Sequence, residues 1–486
     1  MSELCITVTG RTAEEIRRAR QIAETDADLV ELRLDSMERP DPEAALADRR
    51  RPAIVTCRPV REGGGFDGGE DERLRVLARA QALGAEFVDV EADADFRPFV
   101  DATGGRGVIA SMHDFSGTPS SLSEILARLR ATGAEIVKLA VMTRSLSDLQ
   151  RLCASASHDR GSVLLGMGDA GVATRVLAAR MGSRWTYAGH VIAPGQLPPD
   201  RLLHEYRFRR IRADAAVYAL LGTPVAHSLS PAMHNAGFAA AGLNAVYVPV
   251  DVDDLSTFRA FAEALGVRGA SVTIPLKRRA LDMADELAPL ARAAGAVNTL
   301  ILRDGRWIGA NTDGEGFLAP LRHRMPDLRD RRTVILGAGG AARGVAFALI
   351  RQGARVAVAA RRPEHAHMLA ADLGIDVASW PPEPRSWDIL VNATPVGSTG
   401  VPGMPVDLRL DGSLVYDLVY EPERTPLMIR AIDAGLAAIG GLEMLVTQAE
   451  RQFEIWTGEC PPAGVFMEAA TQARADRRRQ HEADHV

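Results

Sequence analysis

The segment from Thr333 to Arg362 limits what this chain can fold into more than any other stretch of its sequence. It reads TVILGAGGAARGVAFALIRQGARVAVAARR and predicts a strand, a helix and a second strand, at Val334–Leu336, Arg343–Arg351 and Arg355–Ala360. Between the first strand and the helix, Gly337, Gly339 and Ala342 match the G-x-G-x-x-G/A turn. Such a turn lets a pyrophosphate lie against backbone N–H groups at a helix N terminus, where a Cβ would push it away. The segment therefore predicts a dinucleotide-binding βαβ unit, with a glycine-rich turn that binds no ligand as the alternative.

The end of the second strand bears on which dinucleotide would bind. It reads Ala359-Ala360-Arg361-Arg362 and contains no acid that could hold a ribose 2′-hydroxyl. Two guanidinium groups at this position suit a 2′-phosphate instead, because arginine matches the geometry of phosphate oxygens. We therefore expect NADP rather than NAD, and a solvated basic turn is the other interpretation of the two arginines.

The composition excludes several classes of function. A length of 486 residues predicts about three domains, or fewer if one is a barrel, and 47% hydrophobic residues are typical of a globular chain. A formal charge of −6 over this length gives no electrostatic footprint for nucleic acid or membrane. The four cysteines form no C-x-x-C pair, and the N terminus lacks the basic and apolar regions of a secretion signal. We expect a cytoplasmic protein with reduced thiols and no metal, since the sequence has no H-E-x-x-H motif and no Cys/His cluster.

Residues 1 to about 210 alternate short apolar strands with helical patterns. The strand candidates are Cys5–Thr9, Leu29–Leu34, Ala53–Cys57, Phe87–Val90, Gly107–Met112, Ile136–Val141, Ser162–Met167 and Trp185–Ala188. This repeated strand–helix order predicts a (β/α)8 barrel. An open doubly wound sheet is the alternative.

The two-residue periodicity of these strands predicts which side chains face the barrel interior, because one face of each strand meets the helices and the other fills the barrel. Polar residues share one face near the carboxyl ends of several strands, namely Glu31, Arg33, Asp35, Thr56, Arg58, Ser111, His113 and Lys138. On the seventh strand, Leu165 shares a face with Met167. Barrel enzymes keep their chemistry at the carboxyl ends of the strands, so we expect a site there.

Lys138, in EIVKLAV, is the most unusual of these residues. An ammonium group inside a barrel is costly unless it loses its proton or is paired. Near Arg33 and Arg58, we expect burial to favour the neutral amine, which can form a Schiff base with a carbonyl group. The alternation equally allows a lysine whose stem covers the outer face of the barrel. His113, in SMHDF, could likewise be a hydrogen-bonded core histidine.

Several motifs in this half resemble type I 3-dehydroquinate dehydratase, namely ELRLD (31–35), TCRPVREGGG (56–65), SMHDF (111–115), VKLAVM (137–142) and APGQ (193–196). The resemblance implies a Schiff base between Lys138 and the C3 ketone of 3-dehydroquinate, with His113 as general acid–base and Glu62 assisting it. It also implies substrate contacts from Glu31, Arg33, Arg58, Met167, Arg175 and Gln196. The sequence departs from the family at Leu165 and Ile192, where Met and Ser are more usual, and in a short loop before APGQ.

The chain continues without a long linker. The basic run RLLHEYRFRRIRAD predicts the last barrel helix, which leads directly into a strand at Val217–Gly222. In the following GTPVAHSLSPAMHN, Ser230 and Pro231 predict the N-cap and first residue of a helix that Gly242 ends. Ser230 therefore has a structural explanation, whereas Ser228 has less of one.

Two residues further along are candidates for proton transfer. A predicted strand at Ala270–Ile274 is followed by Pro275, which predicts a helix with Lys277 in its first turn. A cation there opposes the helix dipole at a cost of about 0.3–1 kcal/mol, which is poor for stability and useful for proton transfer. An exposed lysine is the alternative. Asp313, in ANTDGEG, lies in a predicted turn and could equally be an Asx-turn residue.

Motifs in the second half resemble shikimate dehydrogenase over about Val217–Met467, namely GTPVAHSLSP, SVTIPLK, GAVNTL, NTDG, GAGGAAR, NATPVG and GLEMLVTQA. The resemblance implies Lys277 and Asp313 as the catalytic pair, with Lys277 passing a proton to the ketone oxygen as hydride arrives. The implied contacts to ring hydroxyls and carboxylate come from Ser228, Ser230, Thr273, Asn298 and Gln448. The implied cofactor contacts come from Gly337, Ala338, Gly339, Gly340, Ala341, Arg361, Arg362, Thr394, Val419 and Gly441. The family's Asn-Arg-Thr after the second cofactor strand is Ala360-Arg361-Arg362 here, and His365 stands where a further basic residue is usual.

Together the two resemblances imply a bifunctional enzyme that converts 3-dehydroquinate to 3-dehydroshikimate and then, with NADPH, to shikimate. The predicted domains are a barrel at 1–212, a shikimate-binding α/β domain at 216–322 and 439–472, an NADP-binding Rossmann domain at 323–438, and a disordered tail at 473–486. The alternatives are a quinate/shikimate dehydrogenase fusion that uses NAD and a catalytically silent regulator that senses pathway metabolites. We expect small-molecule ligands, neither nucleic acid nor membrane, and the sequence leaves the oligomeric state open.

Overall fold

The computed structural model describes residues 1–157, 161–190 and 193–483. The chain folds into two compact units. The first unit contains Met1–Leu220, Pro224–His227 and Asn244–Val267. The second contains Leu221–Thr223, Ser228–Leu243 and the described residues from Arg268 onward.

The first unit alternates parallel strands with helices. Strands β1 to β8 are Glu3–Val8, Leu29–Arg33, Ala53–Thr56, Phe87–Glu91, Val108–Asp114, Ile136–Met142, Ser162–Met167 and Trp185–Ala188. Helices α1 to α7 are Ala13–Ala23, Pro42–Leu46, Glu70–Ala82, Arg97–Thr103, Leu122–Arg130, Leu146–Ala154 and Val172–Val176. The strands lie in the order β7-β6-β5-β4-β3-β2-β1-β8, and a bridge between Ser162 and Ser183 nearly closes the ring. The predicted (β/α)8 barrel is therefore confirmed, and the open sheet is wrong.

Side-chain caps start several of the helices where the sequence places a short polar residue. Thr12 precedes α1 and accepts a hydrogen bond from the N–H of Glu15 at 3.2 Å. Ser145 precedes α6 and accepts one from the N–H of Asp148 at 3.1 Å. Each cap satisfies a backbone donor that the first turn of a helix leaves unpaired, which fixes where the helix begins.

The barrel interior has an apolar layer at the amino ends of the strands, made of Cys5, Leu29, Ile54, Phe87, Ile109, Ile136, Val163 and Trp185. On six strands the residue two positions after this layer is polar and buried; these residues are Thr7, Glu31, Thr56, Asp89, Ser111 and Lys138. The alternation expected from the sequence is therefore present, and it places polar groups toward the carboxyl ends of the strands.

The segment after β8 is helical only in short pieces, so the prediction of one continuous barrel helix is wrong. Arg201–Glu205 form a short π-helical segment, and Phe208–Arg210 form one 3-10 turn. Between them Arg207 has a φ of 55°, a left-handed conformation that interrupts a right-handed helix. The next strand follows soon after, as predicted.

A mixed sheet comes next along the chain. Its strands β9 to β14 are Ala216–Gly222, Ala245–Asp251, Val267–Val272, Glu286–Leu287, Thr299–Arg303 and Arg306–Ala310. They lie in the order β10-β9-β11-β13-β14-β12, with β13 antiparallel to β11 and to β14. Helices α8 to α10 are Ser230–Ala240, Phe258–Leu265 and Pro289–Ala294.

A parallel sheet follows, with strands β15 to β20 at Arg332–Leu336, Arg355–Ala359, Asp376–Val377, Ile389–Asn392, Leu414–Asp417 and Ala437–Gly440. Helices α11 to α14 are Asp313–Arg324, Gly340–Ile350, Pro363–Leu373 and Pro426–Asp433. The strand order β17-β16-β15-β18-β19-β20 is that of a doubly wound dinucleotide-binding sheet. The Rossmann prediction is therefore confirmed.

Two helices, α15 at Gly441–Thr457 and α16 at Val465–Ala483, end the described chain. Helix α16 runs through most of 473–486, where the sequence predicts disorder, so that expectation is corrected for residues up to Ala483. The physical reason is that Arg474 is buried and its guanidinium lies 2.8 Å from the carboxylate of Glu423. Residues 484–486 lie outside the described part of the chain.

The state of the cysteines and the hydrophobicity of the helices can be described directly. Cys5, Cys57 and Cys153 are buried, Cys460 is exposed, and all have free thiols. Across the described residues, no helix combines the length and the apolar character needed to cross a membrane.

Candidate active sites

A cavity of about 60 Å³ lies at the carboxyl ends of the barrel strands and opens to solvent. Its walls contain all the barrel residues that the sequence selects for catalysis or substrate binding: Glu31, Arg33, Arg58, Glu62, His113, Lys138, Met167, Arg175 and Gln196. The fold thus brings these residues together, while their individual roles remain predictions.

Lys138 is buried in this cavity between two carboxylates and an aromatic ring. Its Nζ donates to Asp89 Oδ2 at 2.9 Å and to Glu31 Oε1 at 3.3 Å, and it lies 4.2 Å from the centre of the Tyr187 ring. The side chain is 5% exposed, so the alternative of a lysine on the outer face is wrong. The surroundings also differ from expectation, because the nearest charges are carboxylates rather than arginines. The ammonium group is therefore paired.

Asp89 joins Lys138 to a buried network of charges. The same Oδ2 accepts a hydrogen bond from Arg58 at 2.8 Å, and Arg58 also donates to Glu91 and to Ser111, each at 2.8 Å. Burial acts to raise the pKa of Asp89, but the Arg58 and Lys138 cations outweigh it and hold that pKa well below its usual range. These charge-assisted hydrogen bonds fix the positions of both cations.

His113 and Glu62 form a second pair in the cavity, with His113 Nδ1 3.1 Å from Glu62 Oε2. Burial, together with the positive charges of Arg58 and Lys138, lowers the pKa of His113 well below its ordinary value. Burial raises the pKa of Glu62 to about 7, although Arg58 opposes the shift. At neutral pH the imidazole is therefore uncharged and the carboxyl group titrates near neutrality, which suits groups that exchange a proton.

The other predicted substrate contacts lie around the same cavity. Arg33 makes two hydrogen bonds to Asp35, at 2.9 and 2.7 Å, and Gln196 donates to Thr7 at 3.2 Å. Arg175 is buried, and its burial lowers its pKa to about 10. Burial thus makes the positive charge of Arg175 costly, and an anionic ligand would stabilise it.

The sequence departs from the dehydratase family at Leu165 and Ile192, and the structure describes only the first of these residues. Leu165 lines the cavity beside Met167, so this wall is apolar. Ile192 lies outside the described residues.

Sequence reasoning misses Asp89, Glu91 and Tyr187. The first two alternate in FVDVE of β4 on the same face as Phe87, so the two-residue periodicity could have found them. The predicted strand ends at Val90, one residue before the second carboxylate, and no role is assigned to this face. Tyr187 has no signal beyond its place in the last strand.

The candidate site of the second unit is centred on Lys277, whose Nζ donates to Asp313 Oδ2 at 2.6 Å. The side chains are 16% and 5% exposed, so the alternative of an exposed lysine is wrong. Asp313 is the first residue of α11, where a negative charge is favoured by the helix dipole.

The helix predicted to begin at Pro275 is wrong. Residues 274–278 form turns, and one 3-10 turn follows at Arg279–Leu281. The carbonyl oxygen of Lys277 accepts a hydrogen bond from the N–H of Val297 at 2.8 Å, so this segment is bonded to the chain before β13. The helix-dipole argument for Lys277 therefore does not apply, and its partner is the aspartate.

Asn298 holds the aspartate of this pair in place. Its Nδ2 donates to Asp313 Oδ1 at 2.8 Å, to Thr312 Oγ1 at 3.0 Å and to Gln448 Oε1 at 3.4 Å. Its Oδ1 accepts the N–H of Thr312 at 2.9 Å, and the residue is 2% exposed. Both oxygens of the Asp313 carboxylate are thereby engaged, one by the amide and the other by Lys277.

The remaining predicted substrate contacts, Ser228, Ser230 and Thr273, are not linked to the Lys277–Asp313 ion pair by described hydrogen bonds. Ser230 is the first residue of α8 and Leu229 occupies the N-cap position, so the N-cap prediction is wrong by one residue. The N–H of Ser230 donates to Ser228 Oγ at 3.2 Å. Thr273 follows β11, and its N–H donates to the end of β9 at 2.9 Å. The described hydrogen bonds link the two serines to each other but not to the ion pair, so these three roles stay predictions.

The glycine-rich loop between β15 and α12 has the shape that a pyrophosphate needs. Gly337 has a φ of 104°, and a Cβ there would lie 3.0 Å from Thr394, so only glycine fits. A Cβ at Gly339 would meet no heavy atom of the described chain within 4 Å, which leaves open space at the N terminus of α12. A Cβ at Gly340 would lie 3.7 Å from the Lys277 side chain. The loop thus fits a dinucleotide, with Lys277 next to the first turn of the helix.

Other predicted cofactor contacts surround this loop. Arg361 and Arg362 are exposed directly after β16, at the start of α13. The carbonyl oxygen of Val419 accepts the N–H of Gly441 at 3.3 Å, which joins the end of β19 to the start of α15. Among the described residues, no group of His, Cys, Asp and Glu could hold a metal ion.

These geometries define a chain that combines a barrel with a buried lysine and a dinucleotide-binding dehydrogenase unit. Family models match in the same order along the sequence. They describe a type I 3-dehydroquinase at residues 4–213, a shikimate dehydrogenase substrate binding domain at 220–300, a shikimate / quinate 5-dehydrogenase at 320–394 and a shikimate 5′-dehydrogenase C-terminal domain at 441–471.

Individual proteins show the same two halves. The chloroplastic bifunctional 3-dehydroquinate dehydratase/shikimate dehydrogenase of Arabidopsis thaliana is 35% identical over 484 residues, covering 92% of this chain and 80% of that protein. The NADP(+) shikimate dehydrogenase of Methanopyrus kandleri is 42% identical over 281 residues, covering 54% of this chain and 97% of that protein. A crystal structure of a shikimate dehydrogenase with NADP+ matches with a TM-score of 0.51 and 38% identity, covering 54% of this chain and 96% of that one. This chain belongs to the family of bifunctional 3-dehydroquinate dehydratase/shikimate dehydrogenases.

Proposed function

We propose that this chain catalyses two consecutive reactions, the dehydration of 3-dehydroquinate to 3-dehydroshikimate and its NADPH-dependent reduction to shikimate. The observation that carries the proposal is the presence of two lysine sites of different design in one chain. Lys138 is enclosed in a barrel cavity with the His113–Glu62 pair, whereas Lys277 contacts Asp313 beside a dinucleotide loop. The first lysine suits covalent chemistry with a ketone, and the second suits proton delivery next to a hydride donor.

In the dehydratase, the Lys138 nitrogen bonds to the C3 carbonyl carbon and passes two of its three protons to the carbonyl oxygen, which leaves as water, so that a protonated imine remains. The imine withdraws electrons from C2, so a base can remove a proton from that carbon. His113 is uncharged at neutral pH because burial lowers its pKa, so its imidazole can accept this proton. The protonated ring can then give a proton to the departing C1 hydroxyl, while Glu62, 3.1 Å from Nδ1, holds the ring in orientation.

Binding of the substrate carboxylate is assigned to the poorly compensated cation of the same cavity. Arg175 is 2% exposed, and its guanidinium donates to the carbonyl oxygen of Pro194 at 3.2 Å. A carboxylate would supply a negatively charged acceptor in place of this uncharged carbonyl oxygen.

In the dehydrogenase, bound NADPH would supply the hydride that reduces the ketone. Lys277 would give a proton to the ketone oxygen, and Asp313, 2.6 Å from its Nζ, would orient the ammonium group and pass on the proton. Asn298 keeps the carboxylate in position through its hydrogen bond of 2.8 Å. The glycine loop would bind the pyrophosphate, and Arg361 with Arg362 would bind the 2′-phosphate.

The most direct experiment supplies 3-dehydroquinate and NADPH together and follows enone absorbance and cofactor oxidation at the same time. The unchanged chain should form the enone and then oxidise NADPH. Lys277→Ala should accumulate the enone without oxidising NADPH, and retained oxidation would contradict the role of Lys277. Lys138→Ala should leave 3-dehydroquinate untouched but still reduce added 3-dehydroshikimate. Borohydride with substrate should attach the substrate covalently to Lys138, and failure to do so would contradict the dehydratase proposal.

A quinate/shikimate dehydrogenase that uses NAD is the second candidate, because one matching family model describes both shikimate and quinate dehydrogenases. The ratio kcat/KM for shikimate and quinate, measured with NADP+ and NAD+, distinguishes the two. A silent metabolite-sensing regulator would turn over neither substrate.

Two other assignments are part of the proposal. The domains are expected at 1–212, at 216–322 with 439–472, and at 323–438, and limited proteolysis followed by mass spectrometry tests these boundaries. The cytoplasm is the proposed location, supported by the four free thiols, and cell fractionation tests it.

A further inference from the structure

Tyr187 belongs to the dehydratase cavity but has no role in the mechanism just described. Its side chain is 4% exposed and lines the cavity. The Nζ of Lys138 lies 4.2 Å from the ring centre, well within the distance of about 6 Å over which a cation is attracted to an aromatic face. Burial raises the pKa of the phenol well above its ordinary value, so the ring stays uncharged.

The three neighbours of Lys138 hold its charge in two different ways. Asp89 and Glu31 each accept a hydrogen bond and therefore require an N–H group on the lysine. The Tyr187 ring attracts the positive charge through its negative face and requires no N–H.

Formation of the imine changes which of these contacts can persist. An ammonium group and a ketone give a protonated imine and one water, so the nitrogen keeps its positive charge while its N–H groups fall from three to one. With one N–H, the nitrogen can keep a direct hydrogen bond to only one of Asp89 and Glu31. The contact with the Tyr187 ring depends on charge alone and survives the conversion.

We propose that Tyr187 is a catalytic group of the dehydratase, whose ring stabilises the protonated imine on Lys138 through a cation–π interaction. This inference rests on the proposed dehydratase function. The ring is already in place before the reaction, because β8 pairs with β1 through Tyr187 and Cys5, and the ring packs in the interior cluster with Trp185. A group that needs no reorganisation is the kind that lowers a barrier most effectively.

Substitution of the ring tests the inference. Tyr187→Phe keeps the aromatic face and should dehydrate 3-dehydroquinate at nearly the original kcat. Tyr187→Leu removes the face and should lower roughly tenfold the ratio of protonated to neutral imine on Lys138, because a desolvated cation–π contact contributes about that factor. The rate at which borohydride captures the substrate on Lys138 should fall in parallel.

A graded series separates the electrostatic role from packing. Phenylalanines with increasing numbers of ring fluorines at position 187 weaken the negative face with little change in size. The borohydride capture rate should fall progressively along the series, whereas a residue that only fills space would give a flat line. A flat series would overturn the inference.

Controls identify which claim has failed. Phe87 lies in the same interior cluster, so Phe87→Leu should reproduce a loss of aromatic packing while leaving capture on Lys138 unchanged. Equal losses of capture in Phe87→Leu and Tyr187→Leu would overturn the inference. Dehydrogenase activity in the same sample gives the concentration of folded second unit for each variant. Absence of any adduct in the unchanged chain would instead contradict the dehydratase function itself.

Discussion

Asp89→Asn removes one negative charge from the centre of the barrel network while keeping the shape of the side chain. Asp89 is completely buried, and one of its oxygens accepts hydrogen bonds from Arg58 at 2.8 Å and from Lys138 at 2.9 Å. An asparagine can still accept through its amide oxygen, but it carries no charge to balance two buried cations.

The contacts that remain set the magnitude of the effect. Removing one partner of a buried ion pair costs about 3–5 kcal/mol. Lys138 keeps Glu31 at 3.3 Å and Arg58 keeps Glu91 at 2.8 Å, so each cation retains one carboxylate. We therefore expect the lower end of that range, about 3 kcal/mol, in the free energy of unfolding of the barrel.

The sign of the pH dependence follows from the depressed pKa of Asp89. The contribution of this carboxylate is fully present above its ordinary pKa of 3.8 and is lost as the pH falls below it toward the folded-state pKa. The loss in Asp89→Asn should therefore be complete at neutral pH and should shrink only in strong acid.

Hydrogen exchange of barrel peptides, followed by mass spectrometry in increasing urea, measures this free energy without using activity. Glu43→Gln is the matched control, because Glu43 pairs with Arg79 on the barrel surface, where solvent screens the pair and its loss should change stability little. Equal changes in Asp89→Asn and in the control would refute the argument that the network supports the barrel.

Three further predictions concern other groups. Burial raises the pKa of Glu62 from 4.5 to about 7, so the folded barrel favours the protonated carboxyl group. The resulting contribution to the free energy of unfolding is fully present below about pH 4.5 and is lost as the pH rises through about 7. Glu62→Gln should therefore flatten the pH dependence of barrel unfolding temperature over this interval. Asn298→Ala leaves Oδ1 of the buried Asp313 without its amide donor, which costs about 1–3 kcal/mol, and should lower dehydrogenase kcat roughly tenfold, with dehydration in the same sample unchanged. Replacing Arg361 and Arg362 together by Ala should raise the KM for NADPH roughly tenfold to a hundredfold and leave the KM for NADH nearly unchanged, as parallel initial-rate assays would show.

The set of residues that faces the barrel interior could be predicted, because side chains two apart on a strand share a face. Glu31 with Arg33 on β2, and Lys138 on β6, lie in one cavity for this reason. The same periodicity places Asp89 inside the barrel, but it could not predict that Asp89 contacts Lys138. Asp89 is 49 residues earlier on a strand that is not adjacent to β6, and such contacts depend on how the sheet closes. The sequence therefore predicts repulsion from nearby arginines where the structure has an ion pair.

Local patterns fail in the second unit where distant segments supply the hydrogen bonds. Pro275 favours the start of a helix, but the carbonyl oxygen of Lys277 is bonded to the N–H of Val297, twenty residues later. The tail is highly charged, which favours disorder, yet Arg474 is buried against Glu423, 51 residues earlier. In both places a contact with a residue far away in the sequence outweighs the local preference. A prediction that uses only neighbouring residues cannot include such a contact.

The distribution of the thiols has a practical consequence. Burial raises the pKa of Cys57 and of Cys153 to about 12, so these groups carry almost no thiolate while the barrel is closed. Cys5 is buried as well, whereas Cys460 is exposed between α15 and α16. A maleimide reagent should accordingly add one mass tag at once and three more only as the barrel opens. The three buried cysteines therefore report the opening of the barrel through their reaction with maleimide, and no engineered label is needed.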